Sequence, residues 1–247
     1  MSLVMIHTRF QFLETIRIPI AVIGTMMFPA LALLFFVVPQ EAVAGDPVAA
    51  TAAAGQLSLF AVVSVCLFQF GAGVAEDRSS AWDPYVRTLP AGVTPRMAGR
   101  VLNGILFALL GMLPVVAVAA LLTSAAVTPV RFVLGTLALV VAALPFLGMG
   151  LAIGYSLTVK GAVPVAQVVL FPMAFAGGLF LPPDSFPGWL DVISQLLPTR
   201  AGRDLVVPLL TGADVALRAV IVLAAWTVLA GALATWAYRR DEGRRFR

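Results

Sequence analysis

The sequence predicts an all-α, polytopic membrane protein with six transmembrane helices. Three observations carry that expectation: apolar content, the length of the apolar runs, and the placement of the cations. Of 247 residues, 61% are hydrophobic and 11% charged, with a mean hydropathy of +1.01, against roughly 45–50% apolar and about 25% charged in a soluble domain. A water-soluble fold of this size could not hide so much apolar surface. The apolar runs approach or exceed the ~20 residues that cross a hydrocarbon core as helix. The length accommodates these spans and their connections as one transmembrane domain, 1–247, without an additional soluble enzyme domain.

In chain order, residues 1–17 place Leu3, Met5, Ile6, Phe10, Phe12, Leu13 and Ile16 on one broad helical face. His7, Gln11, Glu14 and Arg17 lie opposite, with Arg9 among the apolar residues, which reads as an interfacial amphipathic helix. The first span follows at 18–38. A charged lead and the small residues Ala42-Val43-Ala44 imitate a cleavable signal, but the apolar run exceeds the roughly 7–15 residues of a signal peptide, so it reads as a retained helix. The acidic, Ala-rich stretch from Glu41 to Gly55 reads as a flexible loop before the second span, 56–75. Residues 76–100 are strongly charged and must leave the membrane. Spans at 101–122, 132–158 and 163–181 carry Pro114, Pro145, Pro164 and Pro172 in or near their ends, where neighbouring helices can satisfy the freed carbonyls. Residues 182–215 are too polar for a span, yet Phe186, Leu190, Ile193, Leu196 and Leu197 recur at helical spacing beside Trp189. That pattern predicts a short helix at, or dipping into, the membrane surface. The sixth span, 216–238, ends in a tail with five arginines in nine residues.

With both termini on the cytoplasmic side, twelve cations fall inside: Arg9, Arg17, Arg78, Arg87, Arg96, Arg100, Lys160, Arg239, Arg240, Arg244, Arg245 and Arg247. Four fall outside: Arg131, Arg200, Arg203 and Arg218. That asymmetry is the positive-inside bias of a multi-pass protein. The net charge of +4 and pI near 10.0 therefore report orientation, and no basic stripe with interleaved aromatics points to nucleic acid. Cys66, the single cysteine, lies in an apolar span and reads as a small buried hydrophobe. The expected spans hold almost no ionisable group, unlike an ion-coupled carrier. Gln69, Asn103 and Gln167 are the polar exceptions, read as interhelical hydrogen-bonding residues. Lys160-Gly161 lacks the glycine loop of a phosphate-binding motif, and no His-Glu-x-x-His or Gly-x-Ser-x-Gly is present. The chain reads as neither an enzyme nor a nucleotide-binding subunit, with no catalytic residue, metal or cofactor of its own.

Two segments carry chemistry for function. The first contains Glu76, Arg78, Trp82, Asp83, Pro84, Tyr85, Val86, Arg87, Thr88, Leu89 and Pro90. Asp83-Pro84 can open a short helix from which Trp82, Tyr85, Val86 and Leu89 project as anchors for a partner. An ordinary solvated, arginine-rich loop is the alternative. The second runs Gly177-Gly178-Leu179-Phe180-Leu181-Pro182, then Phe186-Pro187-Gly188-Trp189-Leu190 and Leu197-Pro198-Thr199. Its glycines permit close helix approach and its prolines end a helix early. Gly150 and Gly154 form a Gly-x-x-x-Gly, a pattern frequent in apolar helices whose specific use is as a helix-dimer face.

Taken in order, these segments resemble the permeases of type-2 ABC exporters, the drug, lipid and polysaccharide export family. Val86-Arg87-Thr88-Leu89-Pro90 after an acidic-Arg pair is similar to that family's coupling loop, and 177–190 with Pro198 to its outer re-entrant segment. Residues 1–17 are similar to its elbow helix. Serines where the family commonly has a glycine, Pro84, and Arg200 in place of an aromatic depart from the pattern. The resemblance implies a permease that works with two copies of a separate ABC ATPase, where ATP and Mg bind, and with a second permease chain, identical or related. It implies export of a hydrophobic or amphiphilic cargo (drug, lipid or lipid-linked product) across the plasma (inner) membrane, with arginine- and alanine-rich usage suggesting a bacterial source. The rival reading is a membrane anchor or scaffold subunit that transports nothing.

Overall fold

The computed structural model describes residues 5, 8–10, 12–13, 19–80 and 93–245. Among them the secondary structure is helical throughout. Helix α1 (Pro19–Ala32) runs into a π turn, Leu33–Val37, and is followed by a single turn, α2 (Glu41–Ala44). Helix α3 (Pro47–Leu67) passes through a second π turn, Phe68–Ala72, into α4 (Gly73–Ser79). Then come α5 (Val93–Leu122), α6 (Pro129–Ser156), α7 (Val159–Ala176), α8 (Gly188–Ser194), α9 (Pro198–Thr211) and α10 (Leu217–Arg245).

Five of these are long and apolar enough to cross a membrane: Pro47–Ser79, Ala98–Leu122, Pro129–Ser156, Val159–Ala176 and Leu217–Glu242. Helix α1 contributes a shorter apolar stretch, Met26–Val37.

The α3–α4 rod is the core. Its apolar window is 78% buried, against 22% for α7 and for α10, because Leu59, Phe60, Val62, Val63, Val65, Cys66, Leu67 and Phe70 are enclosed on all sides. A helix apolar all round belongs inside a bundle. The rod also begins earlier than hydropathy alone predicts. The Glu41–Gly55 stretch, expected as a flexible loop, is largely helical, since the Asp46 carboxylate accepts from the Ala49 amide at 2.7 Å and Pro47 occupies the first helical position. An N-cap followed by proline nucleates a helix, and the alanines that follow propagate it.

Helix α6 lies along the rod through its small residues. A Cβ on Gly150 would strike the Cys66 carbonyl oxygen and come 2.9 Å from Phe70 Cβ, and one on Gly154 would come 2.7 Å from Val74 Cβ. The Gly-x-x-x-Gly therefore seats a helix of its own chain. The π turn lies at this seam, where the close approach is made. Helix α10 packs along the other side of α6, with Gly148 closed against Ala230.

Candidate functional site

The charged segment begins on a helix. Glu76 and Arg78, expected in a loop, form the last turns of α4, which extends the apolar rod past Ala75. Arg78 turns back onto the bundle. Its Nη1 donates to the carbonyls of Gly154 at 2.6 Å and Leu157 at 3.1 Å, and its Nη2 bonds and ion-pairs with Asp241 Oδ1. Gly154 lies in the final turn of α6, whose last carbonyls lack intrahelical donors, so the guanidinium caps them and faces the negative end of the helix dipole. The same guanidinium lies 5.9 Å from the Tyr155 ring centre. Tyr155 meets Tyr238 edge-on at 5.1 Å, and the Tyr238 hydroxyl donates to Glu242 at 2.5 Å. Arg100, near the start of α5, pairs with Asp77. Trp82, Asp83, Pro84, Tyr85, Val86, Arg87, Thr88, Leu89 and Pro90 lie outside the described residues.

The opposite end of the bundle holds a recess. Helices α6 and α7 are joined by the two residues Leu157 and Thr158, yet at 1.5 Å per residue α6 is about 42 Å long and α7 about 27 Å. Helix α7 is stopped by Gly178, whose φ of +75° is the left-handed turn that glycine adopts freely. The Leu179 amide bonds to the Ala174 carbonyl and the Gly178 amide to that of Phe175, closing the helix end. Helix α9 packs into the space left, against α6, α3 and α10. The start of α9 lies level with mid-α6, where Gly202 faces Leu59 and Ala142, and its end lies near the α6 start, where Leu210 faces Gly135. Buried Thr199 donates to the Met173 carbonyl at 2.6 Å and sits directly on Gly177, which has no room for a side chain.

Of the residues anticipated in this segment, Gly177 and Gly178 are packed and conformational positions, Pro182 and Pro187 precede helical turns, Gly188 opens α8, and Pro198 starts α9. Phe186 precedes α8, whose Leu190 is partly buried, and Trp189 is exposed.

Hydropathy missed the polar network that this geometry assembles. Arg200 Nε donates to both Asp204 oxygens at 3.0 and 3.1 Å, and its Nη1 reaches Asp191 at 3.4 Å and Ser194 at 3.3 Å. Arg203 donates to Asp204 at 3.1 Å and, with the Gln56 amide oxygen turned toward it, to Gln56 at 3.0 and 3.2 Å. Arg218 of α10 ion-pairs with Asp204 at 3.6 Å and bonds to Gln195. Trp226 donates to the Leu196 carbonyl at 2.8 Å. On the amphipathic α9, burial lowers the Arg203 pKa from its ordinary value, Asp204 opposes that and Arg200 adds to it; the guanidinium stays charged at physiological pH. The signal was available as the i,i+4 pair Arg200/Asp204 beside an apolar stripe.

Among the described residues no group of three or more His, Cys, Asp and Glu side chains could hold a metal ion. Cys66 is buried in the core. Asn103 is buried, and its Oδ1 has no hydrogen-bond partner among the described residues.

The ABC-2 type transporter family matches residues 2–210. The chain is also 22% identical over 186 residues to the Bacillus subtilis (strain 168) protein described as "Putative transport permease YvfS", covering 75% of this chain and 76% of that one. A family match over most of the chain joins an all-helical bundle with five membrane-length apolar helices: the chain belongs to the ABC-2 type transporter family and is a multi-pass membrane permease of an ABC transporter.

Proposed function

We propose that this permease is the membrane half of an ATP-driven exporter. Two copies of a cytoplasmic ABC ATPase, which bind ATP and Mg, dock on the loop 76–100, and a second permease chain completes the cargo path. Helix α1 makes the sixth span, residues 1–17 the elbow helix and 182–215 an outer re-entrant gate, with both termini cytoplasmic in a bacterial plasma membrane. The domain limits given by hydropathy are proposed with the ends of α3, α4 and α5 as described above.

The observation that carries this reading is the continuous rod from Pro47 to Ser79. Its charged end enters the proposed docking loop, and its other half packs at Gly55 and Leu59 against α9, the proposed gate. The rod is continuously helical through its π turn and most of its apolar window is buried, so displacement at one end is carried along it. A push on the loop therefore reaches the recess. The cargo path is proposed along the face of α1 and α7. There Phe28, Phe60 and Phe171 lie 5.8 to 6.5 Å apart, Phe180 lies 4.9 Å from both Phe60 and Phe175, and Phe35, Phe36 and Val168 are exposed. That aromatic face suits a hydrophobic or amphiphilic cargo.

The test is co-reconstitution in lipid with an ABC ATPase subunit from the same organism, comparing wild type with Tyr85→Ala and Val86→Asp. Co-assembly with a permease-dependent ATPase rate that the substitutions reduce at least tenfold, equivalent to about 1.4 kcal/mol of coupling, is the expected result. Absence of an associated ATPase, or indifference to both substitutions, favours the scaffold reading.

A further inference from the structure

We infer that Arg78 and Asp241 form a force-bearing joint that makes the extended end of α10 part of the coupling machinery, so that movement of the docking loop is passed to α6 and α10 as well as along its own rod. The inference rests on the proposed role of residues 76–100 and concerns Arg78, at the base of that segment with its side chain turned back onto the bundle, and Asp241; both are positioning residues.

Arg78 lies in the last described turn before the loop and is bonded at one time to the end of α6, through two carbonyls, and to α10, through a carboxylate. Asp241 is 6% exposed and Arg78 18%. Two opposite charges held this far from water are costly to separate, because either partner left alone is a desolvated charge. The surrounding contacts leave little slack. Gly154 has no room for a side chain against Phe70 and Val74, and Val74, Tyr155 and Ala237 are buried together, joining α4, α6 and α10. Tyr155 and Tyr238 brace the node from the side, and Glu242 holds the Tyr238 hydroxyl.

The placement of Asp241 supports a specific role. It is the one acidic residue besides Glu242 in a tail of five arginines, Arg239 to Arg247. Arg239 and Arg240, which immediately precede Asp241, are exposed, and Arg240 stacks over Trp236 at 5.1 Å. A tail needed only to mark the cytoplasmic side requires cations. It does not require a buried carboxylate aimed at the base of the loop.

The experiment is hydrogen exchange on the full permease–ATPase complex in lipid, with and without ATP plus vanadate. Wild type and Asp241→Asn are compared, with Arg240→Gln as a control that alters tail charge outside the joint. In wild type, nucleotide is expected to change protection at residues 76–100, at 151–157 and at 236–245. In Asp241→Asn the change at 76–100 persists while that at 236–245 is lost, Asp241→Glu restores it, and Arg240→Gln behaves as wild type. Arg78→Lys keeps the charge but lacks the planar fork that reaches two carbonyls and a carboxylate, and it gives the same loss, so the joint is testable should Asp241→Asn not assemble. If wild-type 236–245 does not respond, or responds equally in Asp241→Asn, the joint is overturned while loop docking stands. If residues 76–100 themselves do not respond, the docking reading fails and the joint fails with it.

Discussion

At the residue scale, the glycines separate into those that are spaces and those that are not. Gly177 sits directly beneath the Thr199 hydroxyl and side chain, whereas Gly231 has open space around its missing Cβ. Gly177→Ala must displace a fully buried side chain that holds α9 to α7, and overpacking of this kind costs about 1–3 kcal/mol. Gly231→Ala adds a methyl group to an unobstructed helix, where alanine is favoured by up to ~1 kcal/mol. Thermal unfolding in detergent is therefore expected to show a lowered midpoint for the first and an unchanged or raised midpoint for the second. Equal midpoints would remove the case for tight packing between α7 and α9. Thr199→Val is milder, because the Met173 carbonyl also receives the Gly177 amide at 2.8 Å, and about 1 kcal/mol is expected for the lost hydroxyl bond.

At the element scale, apolar periodicity carries most of what can be read in advance. Long runs such as 101–122 announce an α-helix by length and hydropathy, and the all-helical, multi-pass architecture was legible on that basis. Hydropathy failed where a helix outruns its apolar part. Asp46-Pro47 starts α3 in an alanine stretch that looks like a loop, and Glu76 to Ser79 continue the rod as charged helix. It failed again at α9, whose polar face is only partly exposed because the helix lies against α6, α3 and α10 beyond the early end of α7, a fact of three-dimensional arrangement that no window of sequence contains. The network on α9 yields the sharpest consequence. Asp204, only 15% exposed, ion-pairs with Arg200, Arg203 and Arg218. Asp204→Asn leaves these partly buried cations with less compensation, so a loss of roughly 3 kcal/mol is expected. Arg218→Gln, at the 46% exposed rim, costs no more than about 1 kcal/mol. The ranking of the two unfolding midpoints is the measurement, and the reverse order would show that the network is not held by Asp204.

At the scale of the whole molecule, every mechanical proposal depends on which end of the bundle faces the cytoplasm. The α4 end carries the loop cations and the arginine tail, and the α9 end carries Arg131, Arg200, Arg203 and Arg218. Arg200, Arg203 and Arg218 share the Asp204 carboxylate, and Arg200 also meets Asp191, but the positive-inside rule acts through Lys and Arg and gives little weight to the acidic residues. The twelve-to-four distribution therefore remains the relevant quantity, and it predicts the α4 end inside. Because Cys66 is the single cysteine and is buried, a Cys66→Ala background permits single-site labelling of intact cells with a membrane-impermeant maleimide. Trp189→Cys, at an exposed position on α8, is expected to react in intact cells, and Ser79→Cys, exposed at the end of α4, only after permeabilisation. The inverse pattern would place the loop where no cytoplasmic ATPase can reach it. Coupling through residues 76–100 and transmission through Arg78 would then both be excluded, whatever the quality of their contacts.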